Sequence, residues 1–432
     1  MASPLVDIFK QMSITRRRLY YAVAALLIVF MPALEGALRP ASFWPLYACA
    51  SVVMFYAFAF NSPRAKRITL VFASVALAVT VVDLALRLTP VVPDNLVERW
   101  PRMPLVNRYR PGLNYEGSRF NDLSRMAGVK EWSEEKFVRI VTDFAGFRNE
   151  QGDSTRPLDV IVLGDSFGAG AVSQEHTLTS ILARDYQLNT YNLSAPAIGP
   201  WGEYVNLRAE GDRLKMREGA TLVWLLFTGN DLEDDYGPLD MSSLPWCGPA
   251  QTWMNRVNSW RARSPVRYLT ENLRAGHDAR ADVIACDFLN GRKLLFYRPY
   301  TETSLRTPDE VVAHPNFPRL RETVNAMQKL SQARGLRLIV ALVPAKEEVY
   351  SWVWKGAPPW LADARPSGFS AVLSHVCAEG GIKFLDLKPE LVNESRRAFE
   401  EKGQLLYWYD DTHMNTAGNV FTASVIYREL IH

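Results

Sequence analysis

The sequence predicts an α/β fold, in which a parallel sheet carries helices on both faces, preceded by three membrane-spanning helices. Two observations support this prediction. Three long apolar stretches occupy the first fifth of the 432 residues. Beyond them, short apolar runs alternate with segments of helical periodicity, which is typical of βαβ units. A content of 48% apolar residues and a net charge of +3 exclude a disordered chain and leave no basic footprint for a nucleic acid.

Residues 1–90 are predicted to form a membrane anchor. Their apolar stretches cover residues 19–38, 43–60 and 68–88, and a helix needs about 20 residues to cross a hydrocarbon core of about 30 Å. Basic residues precede the first stretch and separate the second from the third. The positive-inside rule therefore places the N-terminus in the cytoplasm. We expect a multi-pass protein of the inner membrane whose main domain is extracytoplasmic, in the periplasm of a bacterium.

Two features of the anchor leave alternatives open. Arg16, Arg17 and Arg18 also fit the basic region of a cleaved signal peptide, although the two later apolar stretches favour an anchor. Glu35 and Asp83 are acids toward the outer ends of their stretches. Solvation at the membrane interface explains them most simply, and an intramembrane function is the alternative.

Residues 91–136 are predicted to be a lead-in without regular elements, because prolines recur there. The outer domain is expected over residues 137–432, with a short strand near Phe137–Thr142 and a largely helical segment over residues 301–334. Apolar runs predict five buried strands: residues 158–163, 190–193, 221–227, 336–343 and 382–387.

Residues 234–300 exceed a minimal core and are predicted to be an insertion near the site that shapes substrate binding. Its three tryptophans could either stack on sugars or pack in the interior, and the sequence does not decide between these roles: Trp246, Trp253 and Trp260. Cys247 and Cys286 flank an irregular region, and an oxidising compartment would permit a bridge between them. The sequence leaves that bridge open.

Side chains suited to catalysis follow the predicted strands, at the sheet edge where ligand sites form. Ser166 follows the first buried strand in a glycine-rich turn that exposes its hydroxyl and backbone N–H groups. Small residues over 192–200 follow the second strand, and Asn230 follows the third. Near the C-terminus, residues 410–413 read Asp-Asp-Thr-His, and a carboxylate at this spacing can accept a hydrogen bond from imidazole Nδ1.

Each feature has an ordinary structural explanation when taken alone. These explanations are a capped glycine turn, a plain loop, an Asx-turn and a surface histidine beside helix-capping acids. Taken in chain order, however, the four features supply a nucleophile, oxyanion donors, a base and a carboxylate that orients the base. Their conjunction predicts acyl-transfer chemistry.

These four blocks resemble those of the SGNH/GDSL hydrolase superfamily, in a membrane-anchored member of the envelope type, over about residues 137–430. The Gly-Asp-Ser-Phe block implies Ser166 as the nucleophile. The Gly-Asn-Asp block implies Asn230 as a side-chain donor to the oxyanion. The oxyanion glycine of the second block falls on Ala197 here, whose backbone N–H can act beside that of Ser166.

The last block implies His413 as the base. The family contains both Asp-x-x-His and Asp-x-His spacings, so Asp410 and Asp411 both qualify as the orienting carboxylate, and the Asp-Thr-His-Met-Asn sequence favours Asp411. Residues 144–148 and 343–347 also resemble segments of envelope-associated relatives. The Gly-x-Ser-x-Gly pattern fits the elbow of α/β-hydrolases as well, but that fold places several strands before its serine.

The resemblance implies an SGNH (flavodoxin-like) three-layer α/β/α domain. It further implies a serine esterase or deacylase that acts on acyl esters, foremost O-acetyl esters, of a cell-envelope glycan or lipid. An O-acyltransferase that acetylates an envelope polysaccharide is one alternative, and a non-catalytic assembly or glycan-binding protein is another. We expect no cofactor and no metal. The expected partners are the lipid bilayer, an envelope glycan or lipid-linked acyl substrate and membrane proteins, without a nucleic acid.

Overall fold

The computed structural model describes most of the chain after residue 95. The described residues are 71, 74, 78, 81–87, 96–119, 121–150, 156–244, 246–262, 264–266, 282–288, 292–355, 357, 361 and 365–431. The predicted spans over residues 19–38 and 43–60 lie outside them, and the third is described only in part. Within the described part, no helix combines the length and the hydropathy needed to cross a membrane.

The chain divides into two compact units. The first comprises Met1–Asn95 with Gly248–Arg274, and the second comprises Leu96–Cys247 with Ala275–His432. In the first unit, Asp83 is buried, forms an ion pair with Arg87 at 2.9 Å and accepts a hydrogen bond from Ser264. Ionic and polar partners therefore account for this acid.

The regular elements of the described residues follow in chain order. The strands are β1 (Val97–Trp100), β2 (Met103–Tyr109), β3 (Asn114–Arg119), β4 (Lys136–Val141), β5 (Leu158–Leu163), β6 (Thr190–Asn192), β7 (Met216–Phe227), β8 (Val283–Asp287), β9 (Lys293–Tyr297), β10 (Arg337–Val343) and β11 (Lys383–Asp386). The helices are α1 (Asp122–Ala127), α2 (Ser166–Ala169), α3 (Leu178–Tyr186), α4 (Pro200–Glu210), α5 (Pro249–Ala262), α6 (Arg298–Ser304), α7 (Pro308–Val312), α8 (Phe317–Ala333), α9 (Lys346–Tyr350), α10 (Gly368–Glu379), α11 (Lys388–Lys402) and α12 (Thr416–Ile431).

A five-stranded parallel sheet forms the centre of the second unit, in the order β11-β10-β7-β5-β6. These are the five strands that the apolar runs predicted, so that part of the fold prediction is confirmed. Successive residues of each strand point to opposite faces. Ile161 and Trp224 belong to one buried cluster, while Val162 and Val223 belong to the other. The sheet is therefore buried on both faces.

Helices cover each face of this sheet, which gives three layers. Helices α4, α8 and α10 supply apolar side chains to the cluster that contains Trp224, and helices α3, α11 and α12 supply the cluster that contains Val223. Burial on both sides explains why the strands read as continuous apolar runs and not as alternating ones. It also explains why the carboxyl edge of the sheet is left for loops.

The lead-in over residues 91–136 differs from the expectation. It contains β1 and β2 as an antiparallel pair, β3 paired with β4, and α1. Pro101 lies in the turn between β1 and β2, and Pro104 lies where the register of that pair shifts. Proline is tolerated at such turns and irregular positions, so the prediction of no regular elements is wrong.

The predicted insertion contains α5 and the antiparallel hairpin β8–β9. Trp246 packs edge-on against Trp100, with ring centroids 5.5 Å apart, and donates to the Met241 carbonyl oxygen at 2.9 Å. Trp253 is exposed, and the side chain of Trp260 lies outside the described residues. Packing thus explains Trp246.

The bridge between the two cysteines of the insertion does not form. Cys286, on β8, carries a free thiol. It therefore does not pair with Cys247.

A glycine in the first turn of α12 provides a test of this packing. A Cβ added to Gly418 would lie 2.1 Å from the Leu406 carbonyl oxygen. Alanine favours a helix over glycine by about 1 kcal/mol, but a backbone carbonyl cannot move aside. We expect Gly418→Ala to destabilise the protein by about 1–3 kcal/mol and to lower its melting temperature. Gly248→Ala is the matched control, because no atom lies within 4 Å of its added Cβ. Equal melting of both variants would contradict the packing.

Candidate active site

A chain of hydrogen bonds joins three residues of two distant sequence blocks. Ser166 Oγ lies 2.7 Å from His413 Nε2, and His413 Nδ1 lies 2.6 Å from Asp411 Oδ1. Ser166 begins α2 at the carboxyl end of β5, and His413 precedes α12. When Nδ1–H donates to the carboxylate, Nε2 is left to accept a hydrogen bond from the serine hydroxyl. This arrangement can generate a nucleophilic oxygen.

The carboxylate that contacts the imidazole belongs to Asp411. Asp410 is fully buried and points elsewhere: its carboxylate accepts from the Asn121 side chain and, at 2.8 Å, from the backbone N–H of Glu134. Spacing alone left both residues open, and side-chain direction separates them. Asp410 instead ties the acid–base segment to the residues around α1.

Lys136 is a partner of Asp411 that the sequence did not indicate. Its Nζ donates to Asp411 Oδ2 at 2.8 Å, and the aliphatic and charged ends of the side chain are both buried. Burial would raise the pKa of Asp411, but the charges and hydrogen bonds of Lys136 and His413 hold that pKa well below its ordinary value. Asp411 is therefore ionised.

Several carboxylates affect the pKa of the His413 imidazole. Its burial would lower the pKa, but the charge and hydrogen bond of Asp411, with the charges of Asp122 and Asp165, raise the pKa of His413 above its ordinary value. Asp122 also accepts from the Thr412 backbone N–H at 3.0 Å and lies 3.9 Å from His413 Nδ1. When His413 takes the proton of Ser166, these carboxylates therefore stabilise the imidazolium that forms.

A second buried lysine fixes the main chain of the acid–base segment. Lys346, in α9, donates from Nζ to the carbonyl oxygens of Trp408, Tyr409 and Asp411 at 2.6, 2.8 and 3.1 Å. Burial lowers its pKa to about 8. The Tyr409 carbonyl also accepts from the Leu295 backbone N–H at 2.8 Å, so Lys346 adds a second donor there and supplies an ammonium donor to the carbonyls of Trp408 and Asp411. Lys346 lies in the segment over residues 343–347 that resembled envelope-associated relatives, so its place near the site has a sequence signal.

The turn that carries Ser166 is held at both ends. Asp165 caps α2 by accepting from the Phe167 backbone N–H at 2.8 Å. At the other end, the buried guanidinium of Arg148 donates to the carbonyl oxygens of Ala169 and Gly170 at 3.1 and 2.7 Å. These contacts fix the direction in which the serine side chain leaves the sheet edge.

Small residues let the second block approach this turn. A Cβ on Gly168 would lie 2.3 Å from Ser194 Oγ, and the Asn192 side chain donates to the Gly168 carbonyl at 3.0 Å. Ala197 has a φ of 54°, a left-handed conformation that glycine adopts more easily. This conformation suits the glycine that the resemblance implies at this position. Asn107 donates to the Ala197 carbonyl at 2.7 Å.

Asn230 lies in the third block, next to the second. Its Nδ2 donates to Asp234 Oδ2 at 3.3 Å, and a Cβ on Gly199 would meet that same carboxylate. Asp231 holds the loop by accepting from the Phe227 backbone N–H at 2.7 Å. The loops of Ala197 and Asn230 are thus neighbours. That their N–H groups converge with that of Ser166 on one oxyanion stays a prediction.

Buried carboxyl groups accompany these loops. Burial raises the pKa of Asp165 to about 6, and burial together with neighbouring carboxylates raises that of Asp234 to about 7. The same causes hold the pKa of Glu203 and Asp231 well above the ordinary range. Glu203 accepts from Trp224 Nε1 at 2.5 Å. Protonation of part of this cluster limits the negative charge beside the site.

Asp122, Asp411 and His413 offer ligand atoms within 4.8 Å of one another. Their surroundings suit a hydrogen-bonded base better than a cation. The two Asp411 oxygens already bind Lys136 and His413, and an ammonium 2.8 Å from a carboxylate oxygen opposes a second positive charge. We therefore assign no metal ligand among these residues.

An aromatic row connects the imidazole with the end of the predicted insertion. The ring of Phe167 lies 4.9 Å from that of His413 and 4.2 Å from that of Phe227, which lies 5.1 Å from that of Tyr300. Tyr300 is in α6, at the boundary of the insertion. The aromatic wall beside the site therefore comes from phenylalanine and tyrosine, whereas the sequence had drawn attention to tryptophans.

Comparison with known proteins shows a similarity to a protein family. Residues 295–431 match the family described as "SGNH hydrolase-like domain, acetyltransferase AlgX". This segment includes Asp411 and His413 but not Ser166. No curated protein matches the chain.

Solved structures with a related arrangement include two esterases. An acetyl xylan esterase, AlAXEase, is 11% identical with a TM-score of 0.33, and the match covers 62% of this chain and 98% of that one. The psychrotrophic esterase EstA from Pseudoalteromonas sp. is 12% identical with a TM-score of 0.31, over 63% of this chain and 98% of that one.

Removal of the Lys346 ammonium should loosen the acid–base segment. We expect Lys346→Met to take the ammonium donor away from three carbonyls, of which only that of Tyr409 keeps a backbone donor, Leu295 N–H. Amide hydrogen exchange over residues 406–415 should then speed up by about tenfold or more, since each unmet buried group costs about 1–3 kcal/mol. Lys388→Met is the matched control: Lys388 is also buried, but its Nζ pairs with Glu348 at 3.4 Å. Unchanged exchange in the Lys346 variant would show that this lysine does not hold the segment.

Proposed function

Because residues 295–431 match an SGNH hydrolase-like domain, we propose that the chain is a serine-dependent acyl-transfer enzyme that acts on O-acyl esters, foremost acetyl esters. The observation that supports this most directly is the hydrogen-bond chain Asp411–His413–Ser166. A hydroxyl bound to a buried imidazole whose other nitrogen is held by an ionised carboxylate is suited to nucleophilic catalysis.

The reaction follows from these contacts. Ser166 Oγ attacks the ester carbonyl while His413 Nε2 takes its proton. The tetrahedral intermediate then expels the alcohol, which receives that proton, and an acyl-serine remains. An acceptor hydroxyl loses its proton to His413 and attacks the acyl-serine, so Ser166 is regenerated and the acyl group passes to the acceptor. General-base assistance contributes about 10²–10⁴-fold to each half.

The oxyanion of both intermediates is proposed to bind the backbone N–H groups of Ser166 and Ala197 and the side-chain amide of Asn230. The adjacency of the Ala197 and Asn230 loops supports this assignment. One such donor contributes about 10²–10³-fold to the rate. A backbone donor survives the exchange of glycine for Ala197, because the side chain takes no part in the bond.

The acceptor decides between two activities. With water the enzyme is an esterase or deacylase, and with a sugar hydroxyl it is an O-acetyltransferase. The matched family description names an acetyltransferase, which supports transfer, whereas a serine triad by itself serves hydrolysis equally well. We propose a cell-envelope glycan or lipid-linked acyl compound as the substrate. A purely structural, glycan-binding role would not require the intact hydrogen-bond chain.

We further propose that residues 1–90 anchor this domain to the inner membrane, with the domain on the periplasmic side and membrane proteins as neighbours. The three apolar stretches and the basic residues around them support this topology. An anchor of that kind would hold the site close to envelope polymers as they are exported.

Product analysis distinguishes the acceptors. The full chain, purified in detergent, is incubated with an aryl acetate and an oligosaccharide, and the products are separated by mass spectrometry. Acetylated oligosaccharide identifies transfer, and free acetate alone identifies hydrolysis. The Ser166→Ala variant is the control for background reaction. Release no faster than in that variant, with either acceptor, would contradict the proposed function.

The two neighbouring aspartates should differ in their effect on turnover. We expect Asp411→Asn to lower kcat for aryl acetate by about 10³–10⁴-fold, because the amide cannot hold the imidazole in the required tautomer. Asp410→Asn removes an equally buried carboxylate that does not touch His413, and we expect kcat within about tenfold of the wild type. Steady-state kinetics check both. Equal losses would mean that Asp411 has no special relation to the base.

A further inference from the structure

The Asp411 carboxylate lies between the imidazole of the base and an ammonium that is not part of the usual triad. Its Oδ1 bonds His413, and its Oδ2 accepts from Lys136 Nζ at 2.8 Å. Lys136 begins β4, in the segment that precedes the sheet, and its side chain is only 3% exposed. The ammonium also lies 4.1 Å from the centre of the Trp408 ring. Each of these contacts directs the charge of Lys136 at the acid–base pair.

We propose that Lys136 is a positioning residue, which fixes the Asp411 carboxylate and offsets its charge, so that His413 can act as a base at lower pH than it could beside an uncompensated carboxylate. This inference rests on the proposed function. It adds to that function a group that lies outside the four sequence blocks and acts through Asp411.

The charges around the pair make this offset necessary. The carboxylates of Asp411, Asp122 and Asp165 all face the His413 imidazole and favour its protonated form. Lys136 donates directly to Asp411, the charge of Lys346 also acts on Asp411 and Asp122, and Glu134 lies near Lys136. A proton added to a more negative site binds more tightly. Loss of the Lys136 charge should therefore keep the imidazole protonated to higher pH.

Lys136 contributes to the stability of the fold as well as to the electrostatics of the site. Without it, Asp411 Oδ2 would be a buried acceptor that has lost its ammonium donor, and such an atom costs about 1–3 kcal/mol of stability. A variant that merely weakened the fold would lower the rate at every pH. A variant that changed the charge would move the acid limb of the pH profile. The direction of that movement separates the two roles.

The test uses the rate at which a fluorophosphonate modifies Ser166 in the full chain, measured against pH. We expect the acid limb of Lys136→Met and Lys136→Gln to move to higher pH by about one unit or more, the size of shift that a neighbouring charge produces. Lys136→Arg keeps the charge and should follow the wild-type limb. Lys383→Met is the control, because Lys383 forms a partly exposed ion pair with Glu429.

The possible results distinguish a failure of the proposed function from a failure of the role proposed for Lys136. If the wild type is not modified at Ser166, the proposed function fails and the inference fails with it. If it is modified and the neutral variants keep the wild-type limb, the function stands and the inference is overturned. Thermal unfolding of each variant is measured in parallel. If both neutral variants lose cooperative melting, Lys136 is required for folding and the proposed electrostatic role is overturned.

Discussion

The site depends on the hydrogen bonds that the ionised Asp411 carboxylate forms with the residues on either side of it. A buried charge is costly unless it is paired and hydrogen-bonded, and this one is bound by an ammonium on one oxygen and an imidazole on the other. Its position fixes the ring of His413, and the ring in turn holds the hydroxyl of Ser166. Two lysines enforce the arrangement, since Lys136 binds the side chain and Lys346 binds the main chain.

The parallel sheet explains how such distant residues meet. Strands β5, β6 and β7 end at one edge, and each is followed by a loop of the site. Apolar side chains on both faces hold the strands rigidly, so the loops can be short and exact in position. The fourth block arrives after β11 and α11, and α12 packs on the same side of the sheet as α3. Packing of α12 against the sheet therefore fixes the position of the segment that carries the His413 imidazole.

Much of this could be predicted from the sequence because the signals are local. Continuous apolar runs marked the five strands, and the residues after them gave Ser166 and Asn230. The Asp-Asp-Thr-His spacing near the C-terminus gave His413. The choice between Asp410 and Asp411 needed side-chain directions, since both spacings are acceptable. Lys136 and Asp122 carried no signal, because each meets the acid–base segment across more than 270 residues of sequence. The prolines of residues 91–136 led to the wrong prediction that this segment lacks regular elements. Turns and an irregular strand register accommodate them.

The most direct test of the central claim is to identify the residue that becomes covalently modified. The full chain is treated with a fluorophosphonate, digested, and mapped by tandem mass spectrometry, with His413→Ala as the comparison. We expect one modified peptide, with the phosphonyl group on Ser166, and a much slower reaction in the histidine variant. Modification at another residue, or an equal rate without the imidazole, would contradict it.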